Sequence, residues 1–381
     1  MTIRRDCPPD DVVEISIFGP GLGECCLLHL GWNEWIIVDS CIDQRTGAHP
    51  ALSYLSDIDV SPESVKLVVA THAHNDHNAG ISNVVSACIN ADFVVSAATS
   101  EEFFGLLMVD RKISGVVRQS AYDEYRKAQA VLAARARNSG RGRGVPAYRR
   151  ALADRPIYRR TETADHRAAN VIALSPSDEA VTKAGQYVTS LYPVPGEPPR
   201  RLAPPDPNTL AVALWVEVGD TSLLLGSDLT RGPGKNSGWA AVLGSSMKPS
   251  SKAEVFKIPH HGSPNAHHED VWSQMLVENC VALVAPYRAG VTLRPSLDDA
   301  KRICNLTDRA YVSARPTLPA QSAKLRRAAS GLATLARSIH EVEGIPGQVR
   351  ARKNLAEGDW RIDVQKPAVK LEHAYEVTIR D

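Results

Sequence analysis

The sequence predicts an α+β fold, and three features carry that prediction. The first ninety residues read as closely spaced apolar strands. From about Thr99 to Arg160 the pattern turns helical. From Asn170 onward strands return and alternate with helices.

Taken in order, Val12 to Phe18 alternates apolar and polar residues, as a half-buried strand does, and Gly19-Pro20-Gly21-Leu22-Gly23 closes it with a turn. Cys25 to Leu30, Trp35 to Val38 and Lys66 to Ala70 are the next strands. Ser61-Pro62 has the cap-then-proline order of a helical first turn. Gly80 to Ile89, Glu101 to Asp110, Ser120 to Asn138 and Ala147 to Ala153 read as helices, with a flexible basic loop at Ser139 to Gly144. Residues 100–165 are therefore expected to form a helical, Arg-rich insertion or lid. Asn170 to Leu174 resumes strand, Ser175-Pro176-Ser177 opens a helix, and Gly196 to Pro207 is a proline-rich loop. Leu210 to Val218 and Ser222 to Leu225 make a hairpin turning at Gly219-Asp220. Strands at Glu254 to Ile258, Val281 to Val284 and Arg309 to Val312 are separated by helices near Glu269 to Val277 and Ser296 to Cys304. A last hairpin spans Gln348 to Val364. The length allows one large α/β domain or two ordinary ones, and one domain over residues 1–365, with a tail at 366–381, is the expected organisation.

At 381 residues and 43% apolar content the chain can bury a sizeable core. Its net charge of +1 hides an asymmetry. Arg126 to Arg160 holds ten Arg and one Lys against the single acid Asp154, a net of +10, and the remainder carries −9. Such a segment is suited to recruiting nucleic acid or a nucleotide. Tyr122, Tyr125, Tyr148 and Tyr158 are interspersed and would stack on bases or simply fill a core. The seven cysteines are odd in number and irregularly spaced, which argues for a reducing, cytoplasmic setting rather than a disulfide framework. The N-terminus lacks the apolar stretch of a secretion signal, and no run approaches a membrane span.

Residues 71–77 read Thr-His-Ala-His-Asn-Asp-His, directly after the apolar run Leu67 to Ala70. His72, His74, Asp76 and His77 thus converge on one loop at a strand end, in a chain with only 12 histidines. Imidazole and carboxylate donors suit zinc, manganese or iron. The spacing allows two adjacent sites, His72 and His74 at one and Asp76 and His77 at the other.

Five pieces then follow one another: Trp-Ile-Ile-Val-Asp39, the motif ending at His77, Asn208 opening a strand, Leu-Leu-Leu-Gly-Ser-Asp228, and Lys257-Ile-Pro-His-His-Gly-Ser263. In that order they resemble the metallo-β-lactamase superfamily over about residues 10–365. Within it they are most similar to the hydrolase domain attached to bacterial competence DNA-uptake channels. The resemblance implies two β-sheets packed face to face with helices outside, and two divalent ions, zinc before manganese. His72 and His74 would bind the first ion. Asp76 and His77, with His260 or His261, would bind the second, and Asp228 would bridge both. Asp76 and Asp228 would thereby be catalytic, Asp76 also orienting the attacking hydroxide. Asp39 would hold a ligand histidine in one tautomer. His166, the one histidine between His77 and Asp228, is the candidate for a further metal histidine of the family, against a solvated loop residue. Asn208 would orient a loop, Ser263 would hold a ligand or cap its own turn, and His267 would protonate a leaving group or sit at the surface.

The expected function is a dinuclear metal-dependent phosphodiesterase or nuclease. A carbon-ester, lactone or β-lactam hydrolase using the same ions is the alternative, and a metal-stabilised binding module without turnover is a third.

Overall fold

A computed structural model describes residues 6–20, 23–100, 120–138, 146–191, 202–289, 292–316, 346–356 and 358–375. The helix expected at Glu101 to Asp110 and the basic loop at 139–144 lie outside them. Among the described residues eighteen strands run in chain order. β1 (Val12–Gly19), β2 (Cys25–His29), β3 (Trp35–Val38), β4 (Val65–Ala70), β5 (Asp92–Ser96) and β6 (Tyr148–Ala151) come first. β7 (Arg155–Arg160), β8 (Ala169–Ala173), β9 (Leu214–Val218), β10 (Thr221–Leu225), β11 (Ala253–Lys257) and β12 (Leu276–Val284) follow. β13 (Tyr287–Ala289), β14 (Thr292–Arg294), β15 (Ala310–Val312), β16 (Gly347–Asn354), β17 (Arg361–Gln365) and β18 (Val369–Lys370) complete the set.

Sixteen of these form two eight-stranded sheets, ordered β17-β16-β1-β2-β3-β4-β5-β6 and β18-β15-β12-β11-β10-β9-β8-β7. Period-two alternation explains how they stack. Val13, Ile15 and Ile17 of β1, Leu67 and Val69 of β4, and Leu214, Val216, Leu223 and Leu225 of β9 and β10 share one buried cluster between the sheets. The intervening residues face outward onto helices. On the first sheet, Val68, Phe93 and Val95 meet helices Pro50–Asp57, Ile81–Ala87 and Ser120–Asn138. On the second, Trp215, Leu224 and Phe256 meet helices Gly238–Gly244, Glu269–Met275 and Leu297–Cys304. Four layers result, helices outside two facing sheets, as the resemblance implied. Both faces of the central strands are covered, so they read as nearly unbroken apolar runs. Among the described residues no helix is long and apolar enough to cross a membrane.

Within the 100–165 segment Ser120–Asn138 is helical as expected, and Tyr122, Tyr125, Ala128 and Leu132 bury one face of it against the first sheet. Two expectations are corrected. The helix expected at Ala147 to Ala153 is strand β6, which takes parallel register with β5, Phe93 opposite Tyr148. Pairing at an open sheet edge outweighs the helical propensity of so short a segment. Similarly, part of the expected tail at 366–381 is structural: β18 pairs with β15, and Leu371 and Ala374 are buried.

Two links join the sheets laterally. Leu152-Ala153-Asp154 carries the chain from β6, at one edge of the first sheet, to β7, at the edge of the second. Lys366-Pro367-Ala368 does the same from β17 to β18 at the opposite edges.

Candidate metal centre

Loops from both sheets meet at one end of the sandwich. The first sheet contributes Glu24 before β2, Asp39 after β3, and Thr71 to His77 after β4. The second contributes Asp228 after β10, and Lys257 to His261 at the end of β11. Tight backbone turns aim these side chains. Asp39, Ser227, His260 and His261 all have positive φ, between 46° and 62°. Left-handed backbone at a non-glycine residue is strained, by about 1–3 kcal/mol each. It is held by hydrogen bonds from Asp39 N–H to Val69 O (2.7 Å), His260 N–H to Ser227 O (2.9 Å) and Ser263 N–H to His260 O (2.8 Å). Gly23 has to be glycine, since a Cβ there would stand 1.8 Å from Asp76 O.

The side chains gather into two donor groups sharing one acid, while Glu24 and Asp39 form a third group with His77 on its Nδ1 side. Ligand atoms of Asp76, His77, Asp228 and His261 lie within 4.8 Å of one another, and so do those of His72, His74 and Asp228. His77 Nε2 is 3.3 Å from Asp228 Oδ1, while His261 Nε2 is 3.3 Å from Asp76 Oδ2 and 3.5 Å from Asp228 Oδ2.

Hydrogen bonds around the rim fix the imidazole tautomers. His77 Nδ1–H donates to Asp39 Oδ2 at 2.7 Å. Asp39 also accepts from Thr71 N–H and Thr71 Oγ1–H, both at 2.8 Å. His72 Nδ1 lies 3.1 Å from that same Thr71 hydroxyl, and His261 Nδ1 lies 3.1 Å from Ala285 O. The Nε2 lone pairs of all three are thereby left for the centre. His72 Nε2 faces His74 Nδ1 at 3.0 Å.

The donor set fits a cation. His77 Nε2, Asp228 Oδ1 and His261 Nε2 are buried without a hydrogen-bond partner, although they point into one gap. Buried polar atoms are rarely left unpaired, and a divalent ion would satisfy them together.

Electrostatics give the same picture. Burial opposes a charge on His77, but Asp228, Asp39 and Asp76 overcome it and hold the imidazole well above its usual range. His261 is also raised, burial being outweighed by Asp228 and Glu24. Burial likewise opposes ionised Asp228 and Asp76. His77 and His261 offset it at both, and both carboxyls are lowered. Burial pushes His72 and His74 down. Without metal, the raised histidines stabilise the fold below about pH 6.5 and lose that contribution as pH climbs through their folded values. The lowered acids contribute above about pH 3.9 and lose theirs as pH falls through their folded values. A cation that takes these nitrogens therefore competes with protons at His77 and His261. Calorimetric titration of chelator-treated protein with Zn²⁺ should give a heat that varies with the ionisation enthalpy of the buffer. A heat independent of the buffer would contradict this assignment.

Of the histidine pair at the end of β11, His261 enters the donor set. His260 is turned away by the left-handed backbone, with Nδ1 2.9 Å from Asn265 Oδ1 and Nε2 3.4 Å from Asn208 Nδ2. Asn208 is thus a neighbour of His260 at the rim. His166 is not gathered in: it is exposed and packs edge-on against Trp32, at 5.3 Å. His267 is half-buried outside both donor groups, and Ser263 is buried within its own turn. Glu24, Thr71 and Lys257 also stand at the centre, and no local pattern in the sequence marks them for it. The same holds for Tyr287, whose ring stacks on His261 at 5.0 Å.

Part of the basic segment serves its own fold. Arg126 pairs with Asp123, Lys127 with Glu124, Arg149 with Asp92 and Arg160 with Glu34. Arg135 binds the carbonyls of Ser86 and Cys88. Arg137, Arg155 and Arg159 are exposed.

The family model described as the metallo-beta-lactamase superfamily matches residues 19–168. The match spans less than half of the chain, and the four-layer architecture around it is consistent with the metallo-β-lactamase fold. Among solved structures the chain is similar to the metallo-beta-lactamase fold protein YhfI from Bacillus subtilis, at 12% identity and a TM-score of 0.36, over 89% of this chain and 99% of that one. A motif mutant of a metallo-beta-lactamase from Cronobacter sakazakii shares 15% identity over 57% of this chain and 63% of that one, with a TM-score of 0.28. The hydrolase AbOPH of the beta lactamase superfamily shares 21% over 39% and 51%, with a TM-score of 0.25. No curated protein matches the chain.

Proposed function

We propose that the protein is a metal-dependent phosphodiesterase or nuclease that holds two divalent ions, zinc or in its place manganese. The observation that carries this reading is the pair of donor groups sharing Asp228. His72, His74 and Asp228 would hold one ion, and Asp76, His77, Asp228 and His261 the other. When bound, the cations supply Lewis acidity and lower the pKa of water towards about 7. The chain's own residues do the rest. Asp76 has a side chain 23% exposed against 2% for Asp228, so it is the donor acid that solvent reaches. Its carboxylate is placed to accept a hydrogen from the attacking water and orient it. Asn208 and His260 form a polar rim beside His261, where substrate oxygens would lie.

Phosphodiesters are favoured over carbon esters by the ordered motifs from Asp39 to Ser263, and by Arg137, Arg155 and Arg159 on the surface of the basic segment. These arginines would meet a polyanion. The thiols of all seven cysteines are free, which suits a reducing compartment such as the cytosol.

Purified protein loaded with Zn²⁺ or Mn²⁺ should cut DNA, RNA or a cyclic nucleotide from a substrate panel, and Asp76→Ala should not. Cleavage of a nucleic acid should weaken steeply with salt. The variant Arg155→Ala/Arg159→Ala should flatten the slope of log affinity on log salt by about 0.7–0.9 for each phosphate that is no longer neutralised. Turnover of lactones or carbon esters alone, insensitive to salt, would overturn the substrate class and leave the hydrolytic assignment intact.

A further inference from the structure

Beneath the donor groups lies a buried ion pair that hydrolysis, as described, does not use. Lys257 closes β11 and is 1% exposed. Its ammonium contacts Glu24 Oε1, donates to Ser227 O at 2.8 Å and lies 3.9 Å from Asp228 Oδ1. Glu24 is 2% exposed. Its Oε2 has no hydrogen-bond partner, yet lies 3.4 Å from His261 Nδ1, the nitrogen that also faces Ala285 O. Glu24 Oε1 is 3.8 Å from His77 Nδ1, and Glu24 N–H donates to Asp76 O at 2.9 Å. One pair therefore approaches every member of the four-residue donor group, Asp76 through its backbone and His77, Asp228 and His261 through their side chains.

Packing alone does not account for this pair. Val255 and Phe256 precede Lys257 on β11 and are buried apolar residues, so an aliphatic side chain would continue the pattern. Replacing a buried ion pair with well-packed apolar groups is often neutral or stabilising. Lys257 comes from the second sheet and Glu24 from the first, so the pair joins the two halves of the centre where the donors meet.

We propose that Glu24 and Lys257 are positioning residues for the cation held by Asp76, His77, Asp228 and His261. Lys257 pins the Glu24 carboxylate, and Glu24 steadies the Nδ1 side of His261 so that Nε2 faces Asp76 and Asp228. This rests on the two-ion reading above and adds to it a dependence of one ion, not both, on a pair that touches neither ion nor substrate.

The test is calorimetric titration with Zn²⁺ in a His74→Ala background, which leaves the four-residue group to be read alone, and in a His261→Ala background, which leaves the other. Lys257→Met and Glu24→Gln should each weaken Zn²⁺ binding in the His74→Ala protein by about 10–100-fold. Neither should move it by more than about threefold in the His261→Ala protein, where the group read is His72, His74 and the shared Asp228 and the pair orients neither of those two histidines. The combined Glu24→Gln/Lys257→Met variant should lose no more than the worse single variant, since it strands no buried charge. It also carries the test should a single variant fail to fold. A lower thermal midpoint with unchanged Zn²⁺ affinity in the His74→Ala background would make the pair merely structural and overturn the inference. If the otherwise unaltered protein binds no Zn²⁺, or one ion only, the two-ion reading fails instead.

Discussion

Asp228→Asn should abolish hydrolysis and lower the Zn²⁺ content below two per chain. Asp228 is 1% exposed and belongs to both donor groups, so no other residue substitutes for it. Its oxygens face His77 Nε2 at 3.3 Å and His261 Nε2 at 3.5 Å. An amide at this position removes the shared negative charge and turns an N–H donor towards one cation. Metal ions contribute several kcal/mol of transition-state stabilisation, so the rate should fall by about 10³-fold or more. Steady-state assays and elemental analysis of the same preparation check this, with circular dichroism to confirm folding. A variant that keeps two ions and cuts at the original rate would remove Asp228 from the mechanism.

Asp39→Asn should have the next largest effect, although Asp39 lies in neither of the groups around the gap. Its carboxylate accepts hydrogens from Thr71 N, Thr71 Oγ1 and His77 Nδ1. The Asn amide nitrogen has to face one of these donors, whichever way the side chain flips. At the Oδ2 position it faces both His77 Nδ1 and the Thr71 hydroxyl, so the ring is pressed towards the tautomer that carries its proton on Nε2, and the hydroxyl that stands 3.1 Å from His72 Nδ1 loses its acceptor. At the Oδ1 position it meets the Thr71 backbone N–H and leaves that donor unpaired. The substitution therefore reaches both donor groups through one residue. Zn²⁺ affinity should drop by about 10–100-fold. Stability should fall by about 1–3 kcal/mol, the cost of an unsatisfied buried group. Activity lost at limiting Zn²⁺ should return in part when Zn²⁺ is raised, which separates weakened binding from damaged chemistry. Unchanged affinity would show that Asp39 serves the fold alone.

Much of this centre was legible in the amino-acid order. The run from His72 to His77 is contiguous and stands out by local pattern, while Asp39 and Asp228, each after an apolar strand, took their expected places from the ordered motifs of the resemblance. What stayed hidden depends on backbone direction and long-range pairing. Nothing in the string His260-His261 shows which ring points inward; successive residues with φ of 48° and 52° decide it. Glu24 follows a turn and resembles any solvated acid until Gly23 seats it against the backbone of Asp76. Thr71 reads as the end of a strand, and its relay from Asp39 to His72 needs β3 and β4 side by side. His166 had the right chemistry in the right interval, but its loop places it against Trp32. Residues 148–151 looked helical because local preference was judged without the open edge of β5. The arginine-rich run proved partly structural for a related reason, since acids brought close by the fold, Asp92 and Glu34 among them, neutralise several of its charges.

The lateral links β6–β7 and β17–β18 bear on the centre from a distance. Each crosses between sheets with three residues, four Cα steps that reach about 14 Å at most. Packed sheets already stand about 10 Å apart, so the seams have little slack. Because both flanks are sewn, the two halves of the sandwich can neither slip past one another nor gape at the sides. Asp39 and His72 to His77 ride on one half, Asp228 and His261 on the other, and their alignment is therefore set at borders that carry none of the chemistry.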